Sequence, residues 1–241
     1  MKNNVYNEIQ RQVTNKYINT DRESKLTIQI IDSSFIANKR GHIHNNDHLL
    51  TPYEKEQNKK IIEIRNKNPN RYIRRRHFID YNGFNGRKKY FCIAVITDRF
   101  GTPLARLIHS PREGDVMTLE RAVAELPIKL NTIKNSKVNR YQQYFLADSN
   151  YDSLKNLDIL KQYGYIPIIN YNKRATKNKE IIRRRQFNRK QEKIYKKRVV
   201  IESFFSWIKN YPVINQNYQK TISSYDGLFS LVCSMQVAKR I

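Results

Sequence analysis

Residues 195–209 read Tyr195-Lys-Lys-Arg198-Val-Val-Ile-Glu202-Ser-Phe-Phe-Ser-Trp-Ile-Lys209. The segment from about residue 192 to residue 210 lacks Gly and Pro and alternates charged with large apolar side chains, which predicts a helix. At about 100° per residue, its phenol, guanidinium, carboxylate and ammonium groups fall within an arc of roughly 60°. A carboxylate flanked by cations can bind a metal ion while its neighbours bind phosphates. The alternative is a solvated Arg198–Glu202 ion pair, which would contribute only a few tenths of a kcal/mol.

The charge of the chain indicates its partner. Its 241 residues include 46 Lys and Arg against 21 Asp and Glu, a formal net charge of +25. Such an excess favours a polyanion, because neutralising phosphates releases condensed counterions. The positive charge is scattered rather than concentrated on one amphipathic helix, which favours DNA over a membrane surface. Hydrophobic residues make up 39% of the chain, enough for the core of one large domain.

Several classes of protein are excluded by what the sequence lacks. There is no GxxxxGK loop, so we expect no nucleotide cofactor. No stretch approaches the ~18 apolar residues of a membrane span, and the first residues have no apolar core for a signal peptide. Cys92 and Cys233 have no CxxC spacing and are expected to be buried thiols in a reducing compartment. We therefore expect an intracellular protein, either cytoplasmic or associated with DNA in a nucleoid or nucleus.

Five apolar, β-branched runs predict strands: Leu26–Ala37, Tyr90–Thr97, Thr102–His109, Tyr144–Asp148 and Tyr165–Asn170. The second and third should form an antiparallel hairpin. Asp32 lies inside the first run, where a carboxylate is costly unless it is paired or bound to a cation. A turn at the strand end, with Ser33 and Ser34, is the alternative. Asp148 ends the fourth run, the position that carries the chemistry in open α/β sheets.

Helices are predicted around Val5–Ile18, over Val116–Leu126 with Asp115 as its N-cap, over Asp152–Tyr163, and over Ile222–Ile241 against the sheet. Residues 38–87 are expected to be a long, basic, irregular insertion. Its His/Asp cluster between Gly41 and His48 is an alternative metal site, although a second block of ligands is missing. Basic runs around Arg74 and Arg75, and at Arg183, Arg184 and Arg185, are expected to lie along a phosphate backbone, or else to be solvated surface.

This order of elements resembles the ribonuclease-H-like fold of DDE transposases and integrases. The stretch at 195–209 is similar to the signature of the IS4/IS5-type insertion-sequence transposases: Tyr, two residues, Arg, three residues, Glu, six residues, Lys. Leu146–Ser153 and Ile31–Ser34 resemble the second-aspartate and first-aspartate blocks of that family. Gly86–Tyr90 and Pro103-Leu104 resemble its hairpin. The resemblance covers about residues 26–241.

The resemblance implies an α/β, ribonuclease-H-like mixed sheet of about five strands flanked by helices. It divides the chain into a short polar N-terminal extension, residues 1–25, and a catalytic domain, residues 26–241. The implied catalytic residues are Asp32, Asp148 and Glu202, which would hold two Mg²⁺ ions, with Mn²⁺ as a substitute. Tyr195, Arg198 and Lys209 would contact DNA phosphates near the cut.

The implied reaction is metal-dependent phosphodiester cleavage at transposon ends followed by strand transfer into target DNA, carried out by a homodimer on double-stranded DNA. A structure-selective endonuclease of the same fold, a co-opted protein that only binds DNA, and an RNA-processing nuclease are the alternatives. Two departures from the family pattern modify the expectation. Only about 25 residues precede the first strand, so recognition of the transposon ends is expected to be missing, to be supplied by another chain or to have been lost by truncation. The interval from Asp148 to Glu202 has no room for the β-rich insertion of some relatives.

Overall fold

The computed structural model describes residues 5–39, 43–69, 75, 77–81, 89–127, 142–172 and 186–241. Its strands are β1 (Ile28–Asn38), β2 (Asp80–Tyr81), β3 (Lys89–Asp98), β4 (Pro103–His109), β5 (Tyr144–Ala147), β6 (Ile166–Ile169) and β7 (Gln216–Asn217). Its helices are α1 (Val5–Thr20), α2 (Arg22–Leu26), α3 (Pro52–Lys67), α4 (Asp115–Ala124), α5 (Leu154–Gln162), α6 (Arg189–Tyr195), α7 (Val199–Ile208), α8 (Pro212–Asn215) and α9 (Ile222–Ala238).

All the longer strands belong to one mixed sheet. β1 is central, with β3 antiparallel on one side and β5 parallel on the other, and β6 continues the parallel side. β4 and the two-residue strand β2 pair with the outer edge of β3, while β7 pairs with the end of β1. The five predicted strands are thus confirmed to within two residues at each end, and so is the mixed α/β, ribonuclease-H-like class.

The sheet is apolar on both faces because successive strand residues point to opposite sides. On one face, alternate strand residues such as Ile31, Ile96 and Phe145 pack against α4 and α5. On the other face, their neighbours such as Ile30, Val95 and Leu146 pack against α7 and α9. The predicted packing of the last helix on the sheet is therefore confirmed. Cys92 and Cys233 are buried free thiols, also as predicted.

The helix predicted near the N-terminus is present as α1, and it packs into the body of the molecule. Tyr17 and Ile18 are buried in the core on the α4/α5 side. Arg106 of β4 donates from Nε to the Asp226 carboxylate of α9 at 2.8 Å and from Nη2 to the Asn7 amide oxygen of α1 at 2.6 Å. Strand, first helix and last helix thus share one partly buried polar network.

The expectation of an irregular insertion over residues 38–87 is wrong for much of this segment. Residues 43–49 form a 3-10 helix, and α3 follows with a capping box between Thr51 and Glu54. In the same segment, Asp47 accepts from the backbone N–H of Phe78 and lies 2.8 Å from Nδ1 of His77. These contacts give Asp47 a structural role. Among the described residues, no three His, Cys, Asp or Glu side chains form a group that could hold a metal ion.

The single helix predicted over residues 192–210 is divided. α6 ends at Tyr195, a 3-10 turn covers Lys196–Arg198, and α7 begins at Val199. The capping box of α6, formed by Asn188 and Gln191, gives it a start of its own. None of the described helices is both long and apolar enough to cross a membrane.

The network around Arg106 yields a stability prediction. The side chains of Arg106 and Asp226 are only 11% and 22% exposed, so Arg106→Met leaves a largely desolvated carboxylate without its cation. We expect the free energy of unfolding in urea to fall by about 2–4 kcal/mol. The control is Glu8→Gln on α1, which breaks an exposed ion pair with Arg11 and should leave the free energy of unfolding nearly unchanged. Equal effects of the two substitutions would contradict the assignment.

Candidate active site

The register between β1 and β5 brings two aspartates together. Ile28, Gln29 and Ile30 pair in parallel with Tyr144, Phe145 and Leu146. Continuing this register by two residues sets Asp32 beside Asp148. Asp32 follows Ile30 by two residues and Asp148 follows Leu146 by two, so both carboxylates belong to the sheet face that α7 covers. Asp148 itself lies just after β5 and caps the 3-10 turn Ser149–Tyr151.

The third predicted carboxylate lies on α7 and is connected to Asp32 through one guanidinium. This helix packs Ile201, Phe204 and Ile208 into the core, and Glu202 extends from its other side with 55% of its side chain exposed. One guanidinium connects it to the sheet: Arg198 Nη2 lies 3.3 Å from Glu202 Oε1, and Arg198 Nη1 lies 3.5 Å from Asp32 Oδ2. The predicted i,i+4 pair of Arg198 and Glu202 is therefore present. The same guanidinium also contacts Asp32 on β1, which is distant in the sequence.

Tyr195 and Lys209, the other two residues of the arc predicted over residues 195–209, lie at its two ends. The Arg198 guanidinium carbon is 5.9 Å from the centre of the Tyr195 ring, and that ring packs 5.1 Å from Phe187. Burial raises the pKa of Tyr195, while the charge of Arg198 opposes the rise. Lys209 follows α7 two turns beyond Glu202, roughly 10 Å along the helix. Burial lowers the pKa of its ammonium group.

The pKa of Asp32 reflects its burial and the charged groups around it. Burial raises the pKa of Asp32 to about 6, and the charges of Asp148 and Asp115 add to the rise. The backbone N–H of Ser33, which donates to Oδ1 at 2.9 Å, and the guanidinium of Arg198 oppose it. A carboxylate that is held ionised with difficulty next to another carboxylate is typical of a functional site.

Asp115 was predicted to be an N-cap, and that prediction is wrong. The N-cap of α4 is Gly114, and Asp115 is the first residue of the helix. The neighbouring side chains of Ser33 and Asn150 favour the ionised form of its carboxylate. Burial raises the pKa of Asp115, and the nearby charge of Asp148 raises it further. Its position directly after the third strand and its loop was the sequence signal that Asp115 lies near the site.

The donor set matches a hard divalent cation. Asp32, Asp148 and Glu202 offer only carboxylate oxygens, which Mg²⁺ and Mn²⁺ prefer. Asp32 and Glu202 both contact the same positive charge, that of Arg198, so the fold already places a cation between them. This guanidinium separates the two carboxylates, in keeping with the finding that no ready-made three-ligand group exists among the described residues.

Most of the arginines predicted to bind the DNA backbone lie outside the described residues: Arg74, Arg183, Arg184 and Arg185. Arg75 is described and its side chain is exposed. Its expected contact with DNA remains a prediction.

Comparison with known proteins gives one strong match. A family model described as "Transposase DDE domain" matches residues 23–235. No curated protein has a sequence that matches this chain.

Among solved structures, the pre-cleavage Mos1 transpososome is similar with 11% identity and a TM-score of 0.31 over 99% of this chain and 63% of the Mos1 chain. The Mos1 paired-end complex with the left transposon end has 13% identity and a TM-score of 0.30, covering 99% and 64% of the two chains. The Mos1 mariner paired-end complex with Mn has 11% identity and a TM-score of 0.30, covering 99% of this chain and 64% of the Mos1 chain. This chain therefore spans less than two thirds of those Mos1 chains. TM-scores this low carry no argument, so the evidence for the fold is the strand order of the sheet.

Asp32 yields a prediction about pH. Its pKa rises from 3.8 to about 6 on folding, so the folded chain holds the proton more tightly than the unfolded chain. The resulting loss of stability is absent below about pH 4 and complete above about pH 6. We therefore expect Asp32→Asn to raise the free energy of unfolding by about 1–3 kcal/mol at pH 7.5, with the gain vanishing toward pH 4.

Urea unfolding in EDTA at pH 4, 5, 6 and 7.5 measures this difference without a contribution from divalent ions. Asp158→Asn on α5 removes an exposed carboxylate and controls for the change of net charge. Equal stability of wild type and Asp32→Asn at pH 7.5, or a gain in the free energy of unfolding that is independent of pH, would rule out the raised pKa assigned to Asp32.

Proposed function

The chain belongs to the family of transposases with a DDE domain, and on that premise we propose that it cuts DNA at transposon ends and joins the cut ends to target DNA. The observation that supports the proposal is the pair of adjacent aspartates together with the guanidinium that connects one of them to Glu202. Asp32 comes from the middle of β1, Asp148 from the end of β5 and Glu202 from α7. The register of the sheet accounts for the first two, and the Arg198 bridge accounts for the third.

Asp32, Asp148 and Glu202 would hold divalent ions, Mg²⁺ with Mn²⁺ as a substitute. When bound, such ions lower the pKa of a coordinated water or 3′-hydroxyl and stabilise the leaving oxygen. With a pKa of about 6, Asp32 is mostly ionised at pH 7.5 and is available as a ligand. Metal binding below pH 6 would have to displace its proton.

Arg198 is suited to hold the DNA backbone at this place. A guanidinium carries five N–H donors in a planar fork, and the two contacts to Asp32 and Glu202 leave donors for a phosphate. The Tyr195 ring beside it limits its freedom on one side. Lys209, about two turns further along, would contact a phosphate farther from the cut. The spacing of these three residues and Glu202 supports the IS4/IS5 type within the family.

The partners we propose are the transposon ends and the target, both double-stranded DNA, and a second copy of the chain. The net charge of +25 supports a polyanionic partner. A homodimer on DNA follows from the reaction, because two transposon ends must be held together for joining.

A cleavage and joining assay tests the proposal. Supercoiled plasmid and pre-cut end substrates are incubated with Mg²⁺, Mn²⁺ or EDTA. Wild type should nick and join only with a divalent ion, and Asp32→Ala, Asp148→Ala and Glu202→Ala should each lose at least about a hundredfold in rate. Asp158→Ala, at an exposed site on α5, serves as the control and should retain activity.

The products separate the alternatives. Cutting without joining would support a structure-selective endonuclease, and cutting of RNA alone would support an RNA-processing nuclease. DNA binding without cutting, even in Mn²⁺, would support a co-opted binding protein. Metal-dependent activity that survives all three alanine substitutions would overturn the assignment of the site.

Arg198 yields a second prediction for this reaction. Its charge lowers the pKa of Asp32, so Arg198→Gln should raise that pKa above its present value of about 6. Because a protonated Asp32 is a poor ligand, the acidic limb of the pH–rate profile should move to higher pH. Cleavage rates measured from pH 5.5 to 8.5 report the shift, with Lys161→Gln on the exposed side of α5 as the charge control. An acidic limb that stays in place would contradict the electrostatic role of Arg198.

A further inference from the structure

A row of exposed cations lies on α6 and on the 3-10 turn that follows it. The cation row consists of Arg189, Lys190, Lys193, Lys196 and Lys197. At about 100° per residue, these side chains fall within an arc of roughly 120° on the solvent side. The opposite side is anchored, because Phe187, Ile194 and Tyr195 pack against the core on the α7/α9 face of the sheet. The row is therefore a surface of positive charge on a fixed helix.

The charge of the cation row is not compensated. Glu192 is the only acidic residue between positions 187 and 201. Among the described residues, neither Glu192 nor any member of the row forms an ion pair, and the one side-chain hydrogen bond of the row joins Lys190 Nζ to the neutral amide of Gln142 at 3.4 Å. By contrast, Lys155 on α5 pairs with Glu120 at 2.9 Å. The row thus keeps its full charge for a partner.

The cation row is also unfavourable for the helix that carries it. Arg189 and Lys190 are the first two residues of α6, where the helix dipole disfavours cations. Arg189 and Lys193 are like charges four residues apart, and such pairs destabilise a helix. Local folding gains nothing from these charges, and positions that break a local rule in this way are expected at functional surfaces.

We propose that the cation row binds the phosphate backbone of double-stranded DNA next to the cut. The row ends beside Arg198, whose guanidinium contacts Asp32 and Glu202. From Arg189 to Arg198 the chain rises roughly 15 Å, which is about four base steps of B-DNA. The inference rests on the proposed function and deepens it, because it assigns the surface along which the duplex leaves the site. Since lysine–phosphate contacts carry no sequence information, the row holds DNA without reading its bases.

A duplex fits this surface better than an anionic membrane does. A helix that binds a membrane surface combines its cations with an exposed apolar face that enters the lipid. On α6, the apolar Ile194 packs against the core, and the residues between the cations are Gln191 and Glu192. The surface therefore offers charge alone, which suits a phosphate backbone.

The test compares a double variant, Lys193→Gln with Lys197→Gln, with a matched control, Lys155→Gln with Lys161→Gln. Each removes two exposed positive charges, and the control lies on α5, at the other face of the sheet. Binding to two DNA duplexes of unrelated sequence is measured by fluorescence anisotropy in EDTA, from about 50 to 300 mM NaCl. EDTA keeps binding separate from catalysis.

We expect the double variant to bind both duplexes at least about tenfold more weakly than wild type at about 100 mM NaCl. The slope of log affinity against log salt should be less steep by about 1–2, because each lost phosphate contact releases fewer counterions. In Mg²⁺, KM for DNA should rise by the same factor while kcat stays within about twofold of wild type. The urea midpoint of the DNA-free double variant at low salt should equal or exceed that of wild type, since like charges have been removed. The control should match wild type in affinity, slope, KM and kcat.

Four outcomes would overturn the inference: unchanged affinity and slope in the double variant, an equal loss in the control, a loss confined to one duplex sequence, or a lower urea midpoint that accounts for the weaker binding. Weaker binding to phosphatidylserine vesicles with unchanged binding to DNA would assign the row to a membrane surface and would also overturn it. If wild type never cuts DNA, the proposed function fails, whereas a reduced salt slope of the double variant in EDTA still supports the cation row as a DNA-binding surface.

Discussion

The parallel pairing of β1 with β5 forces two carboxylates, Asp32 and Asp148, to lie side by side at the end of an apolar sheet. Like charges in such a setting repel each other more strongly than in water, since the surrounding side chains screen poorly. The guanidinium of Arg198 offsets this repulsion on one side of the sheet. On the other side, the hydrogen bond between Ser33 and Tyr151 holds β1 in place. Despite these contacts, burial first, and the charges of Asp148 and Asp115 after it, keep the pKa of Asp32 raised.

The arrangement of α7 follows from the same constraint. Its apolar side must cover the sheet face formed by residues such as Ile30 and Leu146, which fixes the rotation of the helix about its axis. Once that rotation is fixed, Glu202 can lie only along the border between core and solvent, next to the strand ends. The 3-10 turn before the helix lets Arg198 reach across to β1. Packing and chemistry therefore depend on one another in this helix.

Much of the fold could be predicted because its strands are apolar runs whose pattern is local. The adjacency of Asp32 and Asp148 could be anticipated for the same reason, since a charge inside or just after an apolar run is conspicuous. α3 escaped prediction because, of its 16 residues, only Glu54 is buried, so no apolar periodicity marks it. Asp115 was assigned to the N-cap because a lone sequence shows only the adjacent helix start, whereas its neighbours Ser33 and Asn150 come from distant elements. Long-range proximity of this kind is set by topology rather than by local pattern.

The contact between α1 and α9 has a consequence for how the protein is made. Asn7 donates to Asp226 at 3.0 Å across 219 residues of sequence, so α1 leaves the ribosome well before the helix against which it packs. At about 5–20 residues per second, α1 waits on the order of 10–40 s for this partner. During that time the growing chain exposes the apolar side of α1 and the edge strand β4. The packing of α1 against α9 is completed only after α9 has emerged.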